Sequence, residues 1–398
     1  MIRRHLERKL KNLTGSFPVV YLTGPRQAGK TTLARMALPE FKYISMENPA
    51  TREEAIGDPT GFLQQLEGSD GVILDEAQRT PDLFSYLQQV VDEKRAGPFV
   101  LTGSQQFVLS EKISQSLAGR AAVVELMPFS LSEVFGRQPA DPDHFDRVEE
   151  REPPPRVPPL EDVLLRGMFP PLVDRQIDPI DWLDSYIALY VERDVRTLLN
   201  VGDLRSFRQF VALCAGRAGG LLNLSSLGSD AGISHVTAKK WISVLEAGYV
   251  VTLLPPHSGN FSKRIVRTPK LHFIDTGVLC RLLGIRSAED LRSHPLRGAI
   301  FENFVVSELF KVFHHRGRRP TIYFWRDTSG HEVDIVLDLG NRLVPVEVKA
   351  GMTVAADFFK GLDKYCALAG IETGVLVTGG SETRRHGRHL IRAWSDCS

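Results

Sequence analysis

Gly24-Pro25-Arg26-Gln27-Ala28-Gly29-Lys30-Thr31 decides how the rest of this chain is read. The stretch matches G-x-x-x-x-G-K-[ST], follows the β-branched run Val19–Thr23 and opens a helical pattern, which is the context the spacing requires. Its glycines let the backbone curl until the N–H groups face a phosphate. Gly24, Pro25, Arg26, Gln27, Ala28, Gly29, Lys30 and Thr31, with Thr32 behind them, are therefore expected to cradle a nucleoside triphosphate. Lys30 would reach the β- and γ-phosphates, and the Thr31 hydroxyl would ligate Mg²⁺.

Working outward, Val72-Ile73-Leu74-Asp75-Glu76 reads as a central strand ending in two carboxylates. Asp75 there would hold the magnesium through water, and Glu76 would orient the attacking water as base. After the next strand, Leu101-Thr102-Gly103-Ser104-Gln105 offers Thr102 or Ser104 as a polar sensor of the γ-phosphate. Arg120, in Leu117-Ala118-Gly119-Arg120, is a candidate for presenting a guanidinium to a neighbouring subunit's nucleotide. Short runs at Val19–Thr23, Tyr43–Ser45, Val72–Leu74, Val100–Thr102 and Ala122–Glu125 alternate with helical stretches, which predicts a parallel sheet covered by helices.

The whole chain bounds these readings. With 398 residues it is too long for one core, and 49 basic against 48 acidic residues give no global field to attract nucleic acid. Its four cysteines are scattered without a C-x-x-C pair, which argues against a zinc site and for a reducing compartment. The N-terminus is too charged for a signal-peptide core, and no stretch is apolar enough to span a bilayer; the expectation is a cytoplasmic protein with no membrane partner. Leu6, Leu10 and Leu13 recur at helical spacing, predicting an amphipathic helix docked on the first domain.

The expected organisation is an ATPase domain at 1–136, a Pro- and acid-rich linker at 137–159 containing Pro153-Pro154-Pro155, and a helical connector at 160–205. Residues 206–290 read as a winged helix-turn-helix: Leu224–Asp230, a Gly232 turn, His235–Glu246, then strands at Tyr249–Leu254 and Lys270–Ile274. Lys239 and Lys240, with Lys263, Arg264 and Arg267 in the apparent wing, are candidate phosphate contacts. Residues 291–398 form a second α/β unit with strands at Thr321–Arg326, Glu332–Leu339 and Leu343–Lys349. In it Glu302, Asp334, Glu347 and Lys349 make E…D…E-x-K, and strand alternation puts Glu347 and Lys349 on one face. Such carboxylates suit a divalent metal, Mg²⁺ or Mn²⁺, with the lysine favouring the hydroxide that attacks a phosphodiester.

On these motifs the chain resembles the AAA+ superfamily, in particular the prokaryotic ATPases whose Gly-Pro-Arg-Gln loop is followed by a winged helix and a nuclease-like domain. Its C-terminal cluster resembles the PD-(D/E)XK fold of restriction endonucleases, although His331-Glu332-Val333-Asp334 replaces the usual Pro-Asp step. It departs from standard AAA+ proteins in having Ser104 where a sensor asparagine is usual, and no recognisable helical lid with a sensor arginine. The resemblance implies an α/β multidomain protein, a homo-oligomeric ring, a hexamer, and ATP hydrolysis that binds and remodels DNA, branched DNA such as Holliday junctions included. Lys30, Glu76, Arg120, Asp334, Glu347 and Lys349 would be the catalytic groups, and Thr31, Asp75, Glu302, Asp334 and Glu347 the metal ligands. The competing expectation is a nucleotide-controlled switch in regulation or defence, whose winged helix and inactive nuclease-like domain bind a protein partner.

Overall fold

The computed structural model describes residues 2–104, 117–148, 157–175, 177–191, 204–257 and 267–398. Gln105, Pro153-Pro154-Pro155, Lys263 and Arg264 lie outside the described residues. The chain divides into two compact units, Arg3–Pro128 with His314–Arg318, and Phe129–Phe313 with Arg319–Ser398.

In the first unit, strands β1 (Val19–Thr23), β2 (Lys42–Ser45), β3 (Val72–Asp75), β4 (Phe99–Thr102) and β5 (Ala121–Glu125) form a sheet of order β2-β3-β4-β1-β5. Every pairing in it is parallel. Parallel strands need crossovers, and helices α1 (Leu6–Thr14), α2 (Lys30–Ala37), α3 (Pro49–Gly57), α4 (Pro59–Gln64) and α5 (Leu83–Asp92) cover both faces. This is why β1, β3 and β4 are buried along their whole length and apolar up to the polar residues that close them, Thr23, Asp75 and Thr102. Period-two alternation sorts them: Val19, Tyr21, Val72, Leu74, Phe99 and Leu101 pack with α5, while Val20, Leu22, Ile73 and Val100 pack with α1 and α2. Leu6 and Leu10 of α1 are fully buried in that second layer, so the leucine spacing does mark a docked helix.

The second unit has a C-terminal mixed sheet. Its helical part runs α6 (Leu160–Arg166), α7 (Pro170–Asp174), α8 (Pro179–Tyr186), α9 (Leu204–Ala215), α10 (Leu224–Asp230) and α11 (His235–Ala247). Asn223 and Ser234 cap α10 and α11 by accepting the N–H of Ser226 and Thr237 at 3.0 and 3.1 Å, and Gly232 supplies the left-handed residue of the turn between them. An antiparallel hairpin follows, β6 (Val251–Leu254) and β7 (Lys270–Phe273). After α12 (Thr276–Leu282), α13 (Ala288–Ser293) and the long α14 (Arg297–His315) comes a sheet of β8 (Ile322–Arg326), β9 (Glu332–Asp338), β10 (Leu343–Lys349), β11 (Val375–Thr378), β12 (Arg384–His386) and β13 (His389–Ala393). Its order is β12-β13-β11-β10-β9-β8, and α15 (Lys360–Ala369) makes the crossover between the parallel pair β10 and β11.

The hairpin is tied into this sheet. Phe324 exchanges hydrogen bonds with Pro255 and His257, its N–H reaching Pro255 O at 3.1 Å and its carbonyl accepting from His257 N at 2.6 Å. On the other side, Asn303 of α14 accepts from Phe273 N at 2.6 Å and donates to Phe273 O at 2.8 Å, while Ser307 donates to Ile274 O at 2.6 Å. One apolar cluster runs from Phe207 and Trp241 through Phe273 and Phe304 to Val346. Among the described residues, no helix is long and apolar enough to cross a membrane.

Candidate functional site

The loop between β1 and α2 is built for close backbone approach. Gly24 has φ 141°, and a Cβ there would lie 2.2 Å from Leu126 O, so no other residue fits. Gly29, with φ 90°, precedes α2 and leaves its N-terminus without a side-chain cap, so the helix's first N–H groups remain available to an anion. Arg4 braces the loop from behind, donating to Ala28 O at 2.7 Å and Met127 O at 2.6 Å. Lys30 is buried and donates to Gly24 O at 3.0 Å and Pro25 O at 2.8 Å. Burial pushes its amine down to about 8, Arg26 adds to that, and Glu76 and Asp75 oppose it.

Asp75 gathers three hydroxyl groups. Its Oδ1 accepts from Thr31 Oγ1 at 2.7 Å and from the Thr102 hydroxyl, and its Oδ2 accepts from Tyr43 OH at 3.0 Å. The register that pairs β2 with β3 and β3 with β4 brings Tyr43 and Thr102 there, and sequence reasoning missed Tyr43 because nothing local marks it. Glu76 follows at φ 55°, an αL conformation costly for a carboxylate residue, with its side chain accepting from Gln78. Burial raises its pKa, with Lys30 and Gln78 pulling the other way. Thr102 is thus committed to Asp75 and to the N–H of Glu76 at 3.3 Å, whereas the buried Ser104 hydroxyl at the end of β4 has no partner among the described residues. These residues fit a magnesium–nucleotide: a glycine cradle, a desolvated amine, and a hydroxyl already joined to a carboxylate.

Arg120 stands at the opposite end of the strands, just before β5, where its carbonyl accepts from Val19 N before β1 begins. Its guanidinium grips Asp92 at 2.6 and 2.8 Å. The phosphate loop lies beyond the far end of the five-residue β1, about 16 Å away at the usual rise per strand residue. Arg120 therefore does not join the site of its own chain.

In the second unit the structure brings Glu302 (α14), Asp334 (β9), Glu347 and Lys349 (β10) into one neighbourhood, with Asp334 and Glu347 buried and Glu302 and Lys349 partly exposed. It also brings a residue that the sequence did not announce. Lys270 of β7, 3% exposed, places Nζ 2.9 Å from Glu302 Oε1, 2.5 Å from Glu332 Oε1 and 3.8 Å from Asp334 Oδ1. Lys349 Nζ holds Glu347 Oε1 at 2.6 Å, and Asp334 Oδ2 accepts the Val348 N–H at 2.9 Å. Burial and then Asp334 push Glu302 and Glu347 up to about 8, with Lys270 and Lys349 respectively drawing them back. Burial works against charge on Lys270, but its three carboxylates outweigh it and its pKa is raised. In this arrangement the carboxylates do not fit a divalent ion, because an ammonium already lies among them.

On α11 the lysines and Trp241 part company. His235, Val236, Lys239, Lys240 and Ser243 form an exposed face, while Trp241 is buried edge-on against Phe207 and Phe210 at 5.2 Å.

Residues 16–135 match the family model of an AAA domain; residues 158–289 and 297–395 match two domains of unknown function, DUF8612 and DUF4143. The chain is 34% identical over 359 residues to "Uncharacterized protein Rv2008c" of Mycobacterium tuberculosis, a match spanning 88% of this chain and 74% of the relative. "Uncharacterized protein Mb2031c" of Mycobacterium bovis matches with the same figures. Similar solved structures include a Walker-type ATPase of Pyrococcus abyssi, 17% identical over 70% of this chain and 95% of that one, with a TM-score of 0.48. A RuvB mutant of Thermotoga maritima is 16% identical over 64% of this chain and 90% of that one, with a TM-score of 0.30.

Proposed function

Because this chain belongs to the family of the mycobacterial proteins Rv2008c and Mb2031c and carries an AAA-type P-loop ATPase domain, we propose that it is a Mg²⁺-dependent ATP hydrolase that acts on DNA. The observation that carries the ATPase reading is the joint between Thr31 and Asp75, 2.7 Å, which assembles the two magnesium-binding groups from α2 and β3 beside the buried Lys30. Thr31 directly and Asp75 through water would hold magnesium, which would supply charge neutralisation on the phosphates, and Lys30 with the non-proline N–H groups of the loop from Gly24 to Thr32 would hold the β- and γ-phosphates. Glu76 orients the attacking water, Ser104 takes the sensor role, and Arg120 serves a neighbouring subunit's site in a homo-oligomeric ring. ATPase activity should be lost in Lys30→Ala, and Glu76→Gln should retain ATP without turning it over. Equal hydrolysis by wild type and Lys30→Ala would sink this reading.

The DNA contact is assigned to α10 and α11 as a winged helix-turn-helix, with Lys239 and Lys240 on phosphates. The C-terminal sheet with Glu302, Asp334, Glu347 and Lys349 supports a PD-(D/E)XK-like fold. The second reading, a nucleotide-controlled switch whose nuclease-like domain is silent and binds a protein partner, is favoured by the ammonium of Lys270 among those carboxylates. Duplex, single-stranded and four-way DNA, offered with and without ATP and Mn²⁺ in gel assays, separate the two. Salt-dependent retardation with cleavage lost in Asp334→Ala supports a nuclease, retardation alone an ATP-driven DNA remodeller, and no binding at low salt the switch. Four buried cysteines, none of them in a disulfide, suit the reducing cytoplasm in which either role would be played.

A further inference from the structure

We propose that Lys270 is the resident cation of the C-terminal acidic cluster, so that Glu302, Asp334 and Glu347 form a latent divalent-cation site that stays closed while the β6–β7 hairpin is seated. The proposal rests on the geometry of the second unit and is independent of the ATPase reading. Four carboxylates converge here, and Lys270 reaches three of them: Glu302, Glu332 and Asp334. A lysine 3% exposed cannot swing aside to water, and its strand is fixed by the β6 register and by the two hydrogen bonds of Asn303 to Phe273.

Two further observations show that the pocket is built for more ligation than one ammonium supplies. Among the described residues, Glu347 Oε2 is buried with no hydrogen-bond partner, and neither ring nitrogen of the fully buried His272 has one, although its Nε2 lies 3.8 Å from Glu302 Oε1. Buried polar atoms are almost always partnered, so these orphans mark where additional coordination would go. A divalent ion at the same point would meet the ammonium at contact distance, so the two exclude each other. The arrangement makes seating of the hairpin an electrostatic lock, one charge thick, on the carboxylates.

The test is a Mn²⁺ titration of the full chain without nucleotide, following free Mn²⁺ by electron paramagnetic resonance. Wild type should hold no Mn²⁺ that Asp334→Asn removes. Lys270→Met should gain one equivalent, lost again in Lys270→Met/Asp334→Asn, while Lys270→Arg, which keeps the charge, should gain none. Should Lys270→Met fail to fold, Lys270→Met/Glu332→Gln relieves the repulsion, leaves the other carboxylates in place and is read in the same titration. An Asp334-dependent equivalent of Mn²⁺ on the wild type, or a folded Lys270→Met form of either kind with no gain, overturns the proposal. Mn²⁺ gained without DNA cleavage leaves it standing and removes only the nuclease reading.

Discussion

Lys30 shows how much one buried amine can report. Free of nucleotide, its pKa is pushed down to about 8 because burial disfavours its charge, and it donates to the loop carbonyls of Gly24 and Pro25. A bound polyphosphate favours the charged form, so the pKa rises on binding and binding takes up a proton wherever the free amine is neutral. Affinity should be flat below pH 8 and fall about tenfold per unit above it. Nucleotide titrations from pH 6.5 to 9.5 test this, and Lys30→Arg, weaker throughout, should lose the slope. Tyr43 makes a second case. Tyr43→Phe removes one of the hydrogen bonds that aim Asp75, and should raise the Mg²⁺ needed for half-maximal activity about tenfold while leaving metal-free nucleotide binding unchanged. Lys30, Thr31 and Asp75 are legible in the sequence because each belongs to a local motif. Tyr43 and Arg4 reach the site by strand order and helix docking, which no spacing encodes, while Thr102, offered by the sequence as a γ-phosphate sensor, has its hydroxyl on Asp75 instead.

At the scale of elements, the central strands are legible because burial on both faces keeps β1, β3 and β4 apolar up to their last residues, Thr23, Asp75 and Thr102. β1 has the bounds read from the sequence, and β2 to β5 each run one residue longer. The hairpin β12–β13 escaped, since Arg384-Arg385-His386 is an exposed edge strand with no apolar alternation to betray it. The seating of β7 against α14 was equally hidden. Asn303 satisfies both backbone groups of Phe273, so Asn303→Leu orphans a buried donor and a buried acceptor and should cost about 2–4 kcal/mol. The check is a urea midpoint that shifts while the slope holds. On α11 the exposed lysines give a different kind of prediction. Lys239→Ala and Lys240→Ala should each weaken DNA binding similarly for every sequence and lower the salt slope by about 1, whereas Trp241→Ala, which empties an aromatic core, should unfold the helical part first.

For the whole molecule the decisive question is whether one chain completes its own site. Arg120 lies at the other end of the strands from the phosphate loop and is held by Asp92, an exposed pair that water weakens and a partner's phosphates would replace. A ring built on a repeated head-to-tail interface would bring that end of one chain toward the loop of the next. Lys30→Ala and Arg120→Ala should then each be inactive alone, for different reasons: the first cannot hold nucleotide, the second binds it without stabilising its transition state. Mixed in equal amounts, they should recover about a quarter of wild-type activity, because one interface in four pairs an intact loop with an intact arginine. The measurement is ATPase rate against mixing ratio, with subunit exchange checked by size-exclusion light scattering. A bell-shaped curve peaking near equal parts places Arg120 in trans. A flat line at the sum of the two variants, with exchange demonstrated, leaves Arg120 as the partner of Asp92 and nothing more.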